Sequence, residues 1–361
     1  MKELLPERIE NILVRSANWV GDALLTTPTI RAIRKDFPTA RITILAKPWV
    51  APVFYNNPDC DHLMLYDDRG RHRTWWGKVR LTNDLRRLRF DLAILMQNAF
   101  EAALLAWLAG IPNRLGYKTD GRGILLTHSI PVDPSYREYH QIDYYLGILK
   151  GASLEINDRR LVLSMTDAER SQAREILRQS GVGEDNVLIG INPGATYGTA
   201  KRWFPERYAA LCRMIQASFG GRILIFGGPA EEALGDQIAK IIGNHCTNLC
   251  GRTNLREAMA LIERCTLFVT NDSGLMHVAA AFDIPQIVVI GSTDPVRTGP
   301  SNPRSRIVKA PTPCGPCLET ECPTDHRCMK EISVEMVYDA ATTFLRLETS
   351  QEPRLRNSGA E

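Results

Sequence analysis

Along the first third of the chain, short apolar blocks alternate with longer stretches of helical period. Ile12-Leu13-Val14, RITILAK (41–47), HLMLY (62–66) and DLAILMQ (91–97) are too short for stable helices and rich in the large aliphatic side chains of buried strands. Between them, TIRAIRKDF sets Ile30, Ile33 and Phe37 at three- and four-residue intervals and stops at Pro38, while FEAALLAWLAG runs to Gly110. Both endings are those of helices. Buried strands separated by helices imply parallel βαβ units, because crossover helices cover both faces of such a sheet and leave its strands apolar throughout.

From about residue 187 the pattern restarts. VLIGINPG, RILIFGG, CTNLCG, LFVTND and QIVVIGS are apolar runs closing on turn-forming residues, with EEALGDQIAKII, NLREAMALIERC and SGLMHVAAAF as helical segments between them. That predicts a second parallel sheet. The polar stretch 155–186, containing DAERSQAREILRQSG, reads as a linker. SVEMVYDAATTFLRLE predicts a last amphipathic helix, and RLRNSGAE a frayed end. The expected fold class is α/β with two doubly wound domains, residues 1–170 and 171–332, followed by a terminal helix over 333–348. A chain of 361 residues exceeds what one core usually organises. Sheets of this kind bind ligands beyond the carboxyl ends of their strands, so the chemistry belongs on the loops that follow strands.

Composition narrows the class. The chain is 44% hydrophobic and 24% charged, with a mean hydropathy of −0.18. No run approaches the ~20 apolar residues of a membrane-spanning helix, and MKELLPERIE lacks the apolar core of a secretory signal. A cytoplasmic protein without a transmembrane segment is expected. The net charge of +3 is too mild to point to nucleic acid. Its distribution is informative, since eight basic residues lie between Arg69 and Arg89 with Trp75 and Trp76 among them. Two readings stand: a solvated helix face with two core tryptophans, or a surface that meets an anionic partner or lipid headgroups.

Three post-strand loops carry candidate chemistry. In LFVTNDSGLMHVAAAF, Asn271, Asp272, Ser273 and Gly274 sit where a strand turns into a helix, and the N–H groups of a helix start suit a phosphate. Asp272 or Ser273 has the alternative role of a plain N-cap. His277, one turn on, either faces the same mouth or is structural. INPGATYGTAKRWFPERYAAL offers a glycine-containing loop with Thr196 and Lys201 suited to a diphosphate; it is neither a Walker loop nor a dinucleotide fingerprint. FGGPAEEALGD brings Glu231 and Glu232, either ribose contacts or ordinary first-turn acids. In the first half, NWVGDALLTTP places Asp22 beside glycine at a strand-to-helix turn, as a cap or as a base. Of nine cysteines, Cys60, Cys212, Cys246, Cys250 and Cys265 lie in apolar surroundings, suggesting buried thiols. Cys314, Cys317, Cys322 and Cys328 cluster near His326, where structural zinc, reduced thiols and a redox-sensitive disulfide all remain open.

NWVGDALLTTP, AGIPNRLGY (109–117), NPGATYGTAKRWFPE and TNDSGLMHVAAA, in that order and spacing, resemble the ADP-heptose:lipopolysaccharide heptosyltransferases of glycosyltransferase family 9. The resemblance covers nearly the whole chain to about residue 300 and departs at the cysteine cluster. It implies a GT-B fold, two Rossmann-like domains facing a cleft, with the last helix crossing back to the first. It implies an inverting transfer of heptose from ADP-L-glycero-D-manno-heptose to heptosyl-Kdo2-lipid A, the inner core of lipopolysaccharide, at the inner face of the inner membrane. By motif position Asp22 becomes the general base and Lys201 with Thr196 the diphosphate site. Asp272, Ser273, Gly274, Leu275 and His277 line the donor pocket, with Glu231 and Glu232 beside it. Asn18, Trp19, Arg69, Arg71, Arg73 and Arg114 are candidate acceptor contacts. No metal or cofactor is required for such a transfer, and no nucleic-acid partner is expected. The alternatives are a transferase of the same fold with another acceptor, and a non-catalytic sugar-nucleotide-binding module.

Overall fold

Buried β-branched and leucine side chains dominate the central strands, and the computed structural model, which describes residues 6–156, 158–183 and 187–350, shows where they pair. The chain divides into two compact units between Thr166 and Asp167. In the first, six strands, β1 (Asn11–Arg15), β2 (Arg41–Ala46), β3 (His62–Leu65), β4 (Leu92–Leu95), β5 (Asn113–Tyr117) and β6 (His128–Ile130), form a parallel sheet in the order β3-β2-β1-β4-β5-β6. Val14 stands opposite Ile44 on one side and Ile94 on the other, all fully buried.

The second unit has β7 (Leu188–Asn192), β8 (Arg222–Ile225), β9 (Cys246–Asn248), β10 (Leu267–Asn271), β11 (Gln286–Val289) and β12 (Ser305–Val308), ordered β12-β11-β10-β7-β8-β9 and again parallel throughout. Counted from each unit's own first strand, both sheets run 3-2-1-4-5-6, the doubly wound order whose direction reverses between the first and fourth strands. Those switch points lie between β1 and β4, and between β7 and β10.

The apolar pattern predicted four strands in the first half and five in the second. It passed over β5, β6 and β12, whose segments NRLGY, HSI and SRIV are short and carry polar residues. The polar helix Asp167–Gln179 is not a free linker. It packs on the helix Leu255–Glu263, with Arg170 donating to both carboxylate oxygens of Glu263 (2.9 Å each) and Arg256 to those of Glu169 (2.6 and 2.7 Å). The last helix, Val334–Ser350, places Val337, Ala341 and Leu345 in the second unit's core beside Trp203 and Tyr208. Burying Val337 and Leu345 contributes about 1.5–3 kcal/mol each. The RLRNSGAE tail lies outside the described residues.

Candidate active site

In the second unit, a single buried amide ties the loop after β7 to the end of β10. Asn271, the last residue of β10, donates from Nδ2 to the carbonyls of Pro193 (2.8 Å) and Gly194 (3.3 Å). Its Oδ1 accepts from the Trp203 N–H (3.1 Å) and the Tyr208 hydroxyl (3.0 Å). All the polar capacity of the side chain is therefore directed at one loop and the helix that follows, which fixes the backbone around the glycines. Asn192 adds a second tie, donating to Ser273 Oγ at 2.6 Å. Ser273 holds the N-cap position of the helix Gly274–Ala281 without a side-chain cap bond. The first N–H groups of any helix lack intrahelical partners, so this start presents donors and the positive end of the dipole to the same switch point.

Lys201 sits on the 3-10 turn Thr199–Lys201, and its Nζ donates to Asp272 Oδ2 at 2.9 Å. The Thr298 hydroxyl donates to that same oxygen at 3.1 Å. The ammonium lies 5.1 Å above the Tyr197 ring, so the cation is held in place before any ligand arrives. Two glycines are required by close approach. A Cβ on Gly194 would stand 1.7 Å from Glu231 Oε1, and one on Gly198 2.0 Å from the Thr320 carbonyl. That carbonyl also accepts the Ala200 N–H at 3.0 Å, so the cysteine-bearing loop braces the Lys201 turn.

The other donor-site candidates separate. Glu231 accepts the Gly228 N–H at 2.9 Å and lies 3.9 Å from Arg202, against the Gly194 loop. Glu232 is exposed and turns to Arg252. Thr196 is exposed on the loop, Leu275 is half-buried and His277 is buried.

In the first unit, Asp22 is not a helix cap. The helix Val20–Leu25 has Trp19 at its N-cap, and Asp22 stands in its first turn, half-buried. It lies close enough to Tyr145 for its charge to add to the burial that pushes that phenol well above its ordinary pKa. Asn18 is fixed from both ends, accepting Arg15 Nη2 on Oδ1 (2.9 Å) and Trp49 Nε1 on its carbonyl (2.9 Å). Trp19 is largely exposed.

Beside this loop lies a charged group that the sequence reading missed. Arg15 ends β1, Lys47 follows β2 and Tyr66 follows β3; all three are buried. Lys47 pairs with Asp68 and stands 4.3 Å over the Tyr66 ring, which also carries the Arg15 guanidinium at 5.4 Å. Lys78 pairs with Glu101 at the start of the next helix. Burial lowers Arg15 to about 10 and pulls Lys47 down, the latter against its bond with Asp68. Burial would raise Asp68 and Glu101, but the bonds from Lys47 and Lys78 outweigh it and hold both below the usual carboxylate range. The available signal was a single cation or phenol closing each apolar block.

Of the basic candidates, Arg69 stacks on Trp49 at 4.3 Å, at the same carboxyl edge of the sheet. Arg71 and Arg73 are exposed on the loop after β3, which is shaped by Asp67 accepting the N–H groups of Gly70 (2.9 Å) and Arg71 (3.1 Å). Arg114 must be set aside. It is the second residue of β5, at the opposite, amino edge, where its guanidinium is tied to the carbonyls of Ile111, Pro112 and Leu125. Trp75 and Trp76 are 66% and 77% exposed, which removes the core reading for both.

All nine cysteines are free thiols. Cys212, Cys250 and Cys265 are buried, whereas Cys60 and Cys246 are half-buried. In the cluster, Cys322 Sγ accepts the His326 N–H at 3.3 Å. Among the described residues, no three histidine, cysteine, aspartate or glutamate side chains converge on a metal position, and no helix is long and apolar enough to cross a membrane.

Residues 78–327 match glycosyltransferase family 9 (heptosyltransferase). The chain belongs to this family. It is 31% identical over 307 residues to lipooligosaccharide heptosyltransferase 2 of Haemophilus influenzae, covering 83% of this chain and 88% of that protein. Among solved structures it is similar to E. coli ADP-heptose LPS heptosyltransferase II, with a TM-score of 0.80 and 27% identity over 94% of this chain and 100% of that one. It is also similar to a glycosyltransferase family 9 protein of Veillonella parvula, with a TM-score of 0.85 and 25% identity over 96% and 99% of the two chains. The protein is a glycosyltransferase with the GT-B pair of Rossmann-like domains.

Proposed function

We propose that this family 9 enzyme transfers heptose from ADP-L-glycero-D-manno-heptose to heptosyl-Kdo2-lipid A, the inner core of lipopolysaccharide, with inversion at the anomeric carbon. The observation that carries the reading is the pre-set cation of Lys201, held on Asp272 above a loop closed by Gly194 and Gly198. It stands in a chain whose relatives are named heptosyltransferase 2.

The chemistry follows from the parts. An acceptor hydroxyl attacks the anomeric carbon, the bond from that carbon to the diphosphate oxygen breaks, and ADP leaves with the bonding electrons. Asp22 takes the proton from the attacking hydroxyl, a role for a positioned carboxylate worth roughly 10²–10⁴ in rate. Charge growing on the leaving diphosphate is met by Lys201, by loop amides near Thr196 and by the start of the helix at Ser273 and Gly274. The reading therefore calls for no metal. Glu231 is the carboxylate for the ribose, and Leu275 and His277 shape the donor pocket. The first unit takes the acceptor, through Asn18, Trp19, Arg69, Arg71 and Arg73. Its buried Arg15 and Lys47 supply a positive field for an acceptor bearing phosphates and carboxylates. Such an acceptor is lipid-linked, which places the enzyme at the cytoplasmic face of the inner membrane.

The test is a turnover assay with ADP-heptose and truncated lipopolysaccharide cores, comparing wild type with Asp22→Asn. The variant should bind donor unchanged by calorimetry while its kcat falls about 10³-fold. Transfer at the wild-type rate would remove Asp22 from the base role. Donor binding by wild type with no transfer to any core would favour a sugar-nucleotide-binding module instead.

A further inference from the structure

The helices Trp75–Arg87 and Phe100–Leu108 pack side by side in the first unit. The second carries Phe100, Leu104, Trp107 and Leu108 at the i, i+4, i+7 and i+8 positions of one stripe, outside the buried Ala102, Ala103, Leu105 and Ala106. Phe100 is 39% exposed and Trp107 50%. An apolar groove runs between the helices, walled by Trp75 and Val79 from one and by Phe100, Leu104 and Leu108 from the other. Ile124, 86% exposed, projects from the turn Arg122–Leu125, which packs against the second helix.

This apolar surface is set among cations. Arg73, Arg80, Arg86, Arg87 and Arg89 are all exposed on the first helix or its flanks, where Asp84 is the one acid of the helix. Exposed tryptophans beside arginines match the chemistry of a membrane interface. Indoles favour the boundary between headgroup and acyl chain, and each nearby cation is drawn to anionic lipid. A second copy of the chain is a poor occupant, because a symmetric contact would set arginines against arginines.

We propose that this face seats the protein on an anionic lipid surface. Trp75, Trp76, Trp107 and Ile124 enter the headgroup boundary, and Arg80 and Arg87 meet headgroup phosphates. The inference deepens the proposed function and rests on it for the lipid-linked acceptor, although the surface itself is read from the first unit alone.

The full chain should sediment with vesicles of phosphatidylglycerol and phosphatidylethanolamine, and about tenfold less with phosphatidylcholine alone. Trp76→Ser/Trp107→Ser and Arg80→Glu/Arg87→Glu, all at exposed positions, should each lose about tenfold in affinity for the anionic vesicles. Both should keep wild-type circular dichroism and wild-type turnover on a deacylated, water-soluble core. Unchanged vesicle binding by both variants would overturn the proposal. So would a concentration-dependent dimer, seen by sedimentation velocity, that the tryptophan variant abolishes. Vesicle binding that depends on these residues, with no heptose transfer to the soluble core, would uphold the surface while the functional reading fails. Transfer to the soluble core by a wild type that ignores anionic vesicles would do the reverse.

Discussion

The two units share one strand order, yet their switch points are furnished in different ways. At β7 and β10 the polar groups are mostly neutral amides: Asn271 bonds to the backbone of Pro193, Gly194 and Trp203, and Asn192 to the Ser273 hydroxyl. Lys201 is held on Asp272, and Arg202 lies 3.9 Å from Glu231. Around β1, Lys47 pairs with Asp68 and Lys78 with Glu101, and the Arg15 guanidinium joins Lys47 over the buried Tyr66 ring. The difference suits two kinds of recognition. A diphosphate asks for a fixed backbone cradle and little more. An acceptor with several dispersed anionic groups asks for a field from cations whose positions are set by pairing and burial.

Substitutions at the two switch points should have unequal effects. The largest effect is expected at the cradle, where Lys201→Ala should lower kcat about 10²–10³-fold, since it removes a charge aimed at the leaving group. Stopped-flow or steady-state transfer with saturating donor checks this. A change in KM for the acceptor alone would move Lys201 out of the donor role. Asn271→Ala should come next, through stability. It leaves the Trp203 N–H, the Tyr208 hydroxyl and two carbonyls without their partner, and should cost the second unit about 3 kcal/mol in denaturant unfolding. ADP should recover part of that loss. A variant as stable as wild type would show that the loop holds itself.

The smallest effect is a pH dependence in the first unit. Glu101 has a folded pKa below its ordinary value, with burial opposing and Lys78 driving the shift. Its contribution is therefore complete above about pH 4.3 and is lost as pH falls through the lower folded value. Melting temperatures from pH 7 to pH 3 should fall more steeply for wild type than for Lys78→Met. Parallel acid limbs in the two proteins would mean that the pair contributes nothing to folding.

How much of this was legible in the sequence varied with how local each feature is. The proposed donor loops are contiguous, so NPGATYGTAK and TNDSG could be placed at strand ends and offered a chemistry directly. Glu231 and Glu232 were visible as a pair, but only the fold places Glu231, and not Glu232, against Gly194. Arg114 carried the right charge at the wrong edge of its sheet. Arg15, Lys47, Tyr66 and Glu101 went unnoticed, and Lys78 was counted only within the basic run, because they follow different strands or lie on different helices and no spacing joins them. Trp75 and Trp76 left two readings open, since tryptophan is common both in cores and at interfaces; their exposure decided it.

The alternation of strand and helix, the division into two doubly wound halves, and the positions of Asp22 and Lys201 beyond strand ends were all readable from local pattern. Those features depend on side-chain period and on residues within one turn of each other. The common strand order, the short strands β5, β6 and β12, the buried cation cluster and the apolar face on the first unit emerged only from folding. Each of these is made by segments dozens of residues apart, brought together because parallel strands order their carboxyl ends along one edge and pack their crossover helices side by side.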